Sequence, residues 1–171
     1  MKILSSALLC LALLAASAAQ AQEAARAWSV STPKAPEDTA FLSFGAPGTD
    51  DVGLALSCKV KTGQVSILFD VNRALAVRQR GGVWIDTIGR PAPWLVDVVV
   101  ASGVQRVSVR GLANPDQMNG GSTVTAEVST QAPVVAAFAK TGLLHVESLG
   151  TTVEEPPAPK RHVAKFLRAC R

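Results

Sequence analysis

A chain of 171 residues, 48% of them apolar, suits one packed domain and is too apolar to remain disordered. Its net charge of +4 is mild and does not indicate a nucleic-acid binder, which needs strong basic clustering with an aromatic or helical reading element. Three tryptophans, five phenylalanines and no tyrosine leave little for stacking on sugars or bases.

Residues 1–21 read as a secretory signal peptide. Lys2 precedes an apolar run from Ile3 to Ala16, and Ala19-Gln20-Ala21 supplies the A-x-A cleavage pattern, with Ala16-Ser17-Ala18 as the second option. The run is shorter than the about 20 residues that a membrane span takes. The expected mature chain, 22–171, is therefore one exported bacterial β-rich domain without a transmembrane span. The periplasm is the expected location, and secretion is the alternative. Cys10 leaves with the signal.

Trp28-Ser29-Val30 reads as a first strand, and Pro33, Pro36 and Glu37-Asp38 as a loop. Phe41 to Phe44 follows as a second strand. The stretch from Leu54 to Val71 organises the rest. Leu54, Leu56, Cys58 and Val60 alternate onto one face, as do Val65, Ile67, Phe69 and Val71. Lys61-Thr62-Gly63 between them predicts a hairpin turn. In the ambiguous stretch 72–90, Leu75 to Val77 suits a strand, and Gly81-Gly82 suits a turn before Val83-Trp84-Ile85. Pro91 and Pro93 interrupt pairing. Trp94 to Ala101 and Val104 to Val109 then form a second hairpin, a loop runs between Asn114 and Gly121, and Thr123 to Ser129 alternates again.

At Pro133 the period changes. Val134, Val135, Phe138 and Ala139 predict a short helix ending at Gly142. Leu143 to Ser148 and Thr151 to Val153 read as late strands, and residues 155–159 as a proline-rich extended spacer. The last segment, 160–171, carries Val163, Phe166, Leu167 and Cys170 at i, i+3, i+4 and i+7, one apolar stripe of a helix. Cys58 and Cys170 thus both point inward, and an oxidising compartment predicts their disulfide. The expected fold is mainly β, an antiparallel sandwich or partly open barrel of seven to nine strands. It carries a short helix and a disulfide-tethered C-terminal helix.

Chemistry is sparse. The two histidines, His145 and His162, fall in no zinc-ligand spacing; the first suits a half-exposed strand position and the second a solvated one. There is no G-x-S-x-G and no phosphate loop, so neither metal nor cofactor is expected. Asp50-Asp51 and Glu154-Glu155 read as solvating loop charge. Two candidate contacts remain. Lys160, Arg161, Lys165, Arg168 and Arg171 form a cationic helix face suited to a protein partner or an anionic envelope surface. Trp84, Asp86 and Arg90 frame a candidate recognition loop. The pattern predicts a non-enzymatic binding or accessory envelope protein. A small periplasmic hydrolase, with a site assembled from distant residues, is the alternative.

Overall fold

The computed structural model describes residues 25–33, 35, 38–49 and 51–171. The expected signal peptide lies outside the described residues. Nine antiparallel strands form one curled sheet in the order β1-β2-β3-β4-β9-β8-β7-β10-β11. They are β1 (Ala27–Ser31), β2 (Thr39–Gly45), β3 (Val52–Lys59), β4 (Gln64–Val71), β7 (Trp94–Ser102), β8 (Gln105–Pro115), β9 (Ser122–Ser129), β10 (His145–Ser148) and β11 (Thr151–Glu154). A separate ribbon pairs β5 (Arg78–Arg80) with β6 (Val83–Ile85). Two helices complete the described residues, α1 (Pro133–Thr141) and α2 (Lys160–Cys170). Of the two expected architectures, the partly open barrel is the one formed, as a half-barrel.

Strand alternation builds the core row by row. One inward row runs across seven strands as Trp28, Phe44, Leu54, Phe69, Val124, Ala113 and Trp94. The next row is Val30, Leu42, Leu56, Ile67, Ala126, Gly111 and Val96. Each fully buried Leu, Ile or Phe in such rows contributes about 1.5–3 kcal/mol. The small residues of these rows sit together on β8 and β9, and α1 packs against β7 and β8. At Gly111 a Cβ would stand 2.8 Å from both the Thr125 carbonyl oxygen and Val98 Cγ2, so only glycine fits there. Helix α2 fills the other half of the concavity, against β1, β2 and β3, and touches α1.

Three expectations need correction. Leu75 to Val77 is irregular rather than strand: Leu75 and Ala76 pack against the core, and ribbon pairing begins at Arg78. Gly81 and Gly82, both at positive φ, make the tight turn of that ribbon. The second hairpin extends to Pro115, because Gly111 lets β8 stay close to its neighbours. The proline segment is docked at several points rather than a free spacer. Pro156 O accepts from the Trp28 indole at 2.6 Å, and buried Ala158 donates its N–H to Gly142 O at 2.8 Å.

Candidate functional site

Helix α2 is the element that carries exposed charge on a rigid support. Its stripe of Val163, Phe166, Leu167 and Cys170 is buried, as the spacing predicts. Cys170 is bonded to Cys58 across a separation of 112 residues, with the Cα atoms 5.6 Å apart. A helix end leaves carbonyls without partners, and here the β3–β4 turn satisfies two of them. Lys61 N–H donates to Ala169 O at 3.0 Å and Gly63 N–H to Cys170 O at 2.9 Å. Lys61 takes φ 61° and Gly63 φ 70° in that turn. The predicted hairpin turn is therefore also the socket for the helix C-terminus.

Opposite the stripe, Lys160, Arg161, Lys165, Arg168 and Arg171 are all exposed. None of them forms an ion pair among the described residues, whereas Arg26, Arg90, Arg106 and Arg110 all do. Neither helix contains an aspartate or glutamate. His162 departs from the expected solvated position. It is half-buried, and its Nδ1 is enclosed without a hydrogen-bond partner among the described residues.

The candidate recognition loop is built around Asp86, which is only 6% exposed. Its carboxylate accepts from Ile88 N–H at 3.1 Å, Arg90 N–H at 2.7 Å and Arg90 Nε at 2.8 Å. Burial pushes the Asp86 carboxyl up. The hydrogen bonds from Arg90 and Ile88, with the Arg90 charge, outweigh that push and hold it below 3.8. Trp84 is half-buried against the core. Asp86 and Trp84 thus shape the loop from within, and the side chains offered to solvent include Thr87, Arg90 and Ile88, the last 73% exposed.

On the outer face, His145 Nδ1 lies 3.2 Å from Glu154 Oε2. The two sit directly opposite each other on β10 and β11. His145 lines a groove of about 270 Å³ with Arg106, Glu147 and Thr152, and Arg106 pairs with Glu147 at 3.4 Å. Donation from Nδ1 to Glu154 would leave Nε2 as the basic nitrogen. Thr152 is the one hydroxyl among the residues lining the groove. Among the described residues no group of three metal-ligating side chains comes together.

A further cluster escapes sequence reasoning. Arg26 lies over the Phe44 ring, 5.1 Å from its centroid, and reaches Asp51 at 3.5 Å and Glu155 at 3.7 Å. Gly53 makes room, since a Cβ there would collide with the ends of Arg26 and Glu155. Asp51 and Glu155 are therefore structural partners, not solvating charge alone. No local signal announces a contact between residues so far apart in the chain.

The fold and this surface define a small antiparallel half-barrel that holds a disulfide-clamped cationic helix. Among protein-family models, curated proteins and solved structures, none matches the chain.

Proposed function

We infer that the chain is an exported, periplasmic, non-enzymatic binding or accessory protein, whose α2 face holds an anionic partner in the envelope. The observation that carries this reading is the set of five exposed cations, four on α2 and Arg171 after it, without a counter-ion among the described residues, on a helix fixed at its C-terminal end by a disulfide and two backbone hydrogen bonds. Surface cations that serve only solubility need no such fixing, whereas a preorganised charged face loses less entropy on binding. The disulfide fits an oxidising compartment. No helix among the described residues is long and apolar enough to cross a membrane.

The test is affinity capture from periplasmic extract with the mature chain and with Lys160→Glu/Lys165→Glu/Arg168→Glu. The expected result is partners held by the native chain in a salt-sensitive way and released by the triple variant. Capture of the same partners with the same salt dependence by both proteins would refute the reading.

The His145–Glu154 pair favours one second reading, a small hydrolase in which Nε2 activates water in the outer groove. That reading expects ester or amide turnover that His145→Ala abolishes. Turnover that survives the substitution, or no turnover by the native chain, rules it out.

A further inference from the structure

The two helices lie side by side against one concave face, so their exposed residues point to the same side of the molecule. That side carries Lys140 together with the four cations of α2 and Arg171, and neither helix adds a carboxylate. Six positive charges against a chain total of +4 leave the rest of the chain at −2, so charge is segregated onto the helical layer.

Charge is not the only feature of this side. The β7–β8 hairpin rises beside α1, tied to it by Ser102 Oγ and Thr141 Oγ1 at 3.2 Å. At its tip Val104 is 95% exposed, the most exposed large apolar side chain among the described residues. Between hairpin and helix runs a mainly apolar groove of about 350 Å³, lined by Val104, Pro133, Ala136 and Ala137 together with Gln105 and Lys140. An apolar tip and an apolar groove have no use against a purely polyanionic partner such as an acidic polysaccharide. Beside a bank of cations, they match the boundary of a bilayer, where acyl chains lie under charged headgroups.

We propose that the helical layer docks on a membrane rich in anionic phospholipid, with Val104 entering the acyl boundary and Lys140 and the α2 cations meeting the headgroups. This deepens the reading of α2 as an anion-binding face and rests on it.

The probe is cosedimentation of the mature chain with phosphatidylglycerol/phosphatidylethanolamine vesicles, with phosphatidylcholine vesicles as the neutral control. A polyglutamate resin provides a lipid-free anion. Binding to the anionic vesicles but not the neutral ones is expected. Val104→Ser, a charge-neutral change at a fully exposed turn, should weaken vesicle binding about tenfold, the equivalent of withdrawing one buried valine. It should leave polyglutamate retention unchanged. Lys160→Glu/Lys165→Glu/Arg168→Glu should weaken vesicle binding by more than about 100-fold, at roughly fivefold for each charge removed. Retention on polyglutamate without vesicle binding, or vesicle binding indifferent to Val104→Ser, would overturn the membrane proposal and leave the anion-binding reading standing. Loss of neither interaction in the triple variant would overturn both.

Discussion

Arg26 connects parts of the chain that are distant in sequence: the start of β1, the β2–β3 loop through Asp51 and the segment after β11 through Glu155. Burial raises the Glu155 carboxyl above its ordinary 4.5; the Arg26 charge pulls it down and Asp51 pushes it up again, and the net is upward. Between 4.5 and that raised value the folded chain binds more of this proton than the unfolded chain does. Glu155 therefore contributes stability below pH 4.5 that is lost as pH rises through the raised value. Asp86 and Asp116 act in the opposite direction. For Asp116, burial raises the carboxyl, and bonds from the Met118 and Asn119 amides and the Asn119 side chain overcome it. Both aspartates sit below 3.8 when folded, so their contribution is present above 3.8 and lost as pH falls through the lowered values. In Glu155→Gln the decline in thermal midpoint above pH 4.5 should flatten, while the loss on the acid side remains. Melts from pH 3 to pH 7 check it, and a profile parallel to the native one would contradict the assignment.

At the scale of elements, α2 depends on its sulfur link and its socket. In the chain-entropy account, closing a loop of 112 residues restrains the unfolded chain by roughly 5 kcal/mol, and measured disulfides more often give 2–4. For a domain of this size each kcal/mol moves the midpoint by about 2–4 °C. Cys170→Ser should therefore lower the midpoint by about 10 °C. It should also open the segment after Pro159 to protease, because α2 has no side-chain N-cap to hold its other end. The sheet, whose inward rows do not involve Cys170, should persist by circular dichroism. An unchanged midpoint, or two free thiols in denatured, unreduced protein, would contradict the clamp.

Both halves of that clamp were legible in the sequence, because period two around Cys58 and period 3.6 around Cys170 each specify a buried face. So were α1, with Pro133 at its start and Gly142 at φ 73° as its C-cap, and most strands to within two residues. What resisted reading has a common cause. The ribbon of β5 and β6 has three-residue strands, too short for a period to show, and its Arg-Gln-Arg strand carries no apolar alternation at all. The Arg26 cluster and the His145–Glu154 pair depend on strand order and register, which local patterns do not encode. The cationic face was visible as a helical stripe of Lys and Arg. Its lack of counter-ions among the described residues, and its fixing by the amides of Lys61 and Gly63, needed the fold.

Taken as a whole, the molecule has two unlike sides. The outer sheet face is mixed in sign, with Asp97–Arg110 and Arg106–Glu147 pairs, small polar residues such as Ser29, Ser43 and Ser57, and the exposed apolar side chains of Phe41, Leu68, Leu95 and Leu112. The helical side is cationic, with Val104 standing at its margin. A binding protein built this way should meet its partner through one side only. In-cell photo-crosslinking from a benzoylphenylalanine placed at Lys165, with Ser43 on the opposite face as the control position, tests this most directly. The account predicts a discrete adduct from position 165, lost when Lys160→Glu and Arg168→Glu are added, and none from position 43. Equal adducts from both positions, or an adduct from 43 alone, would contradict it.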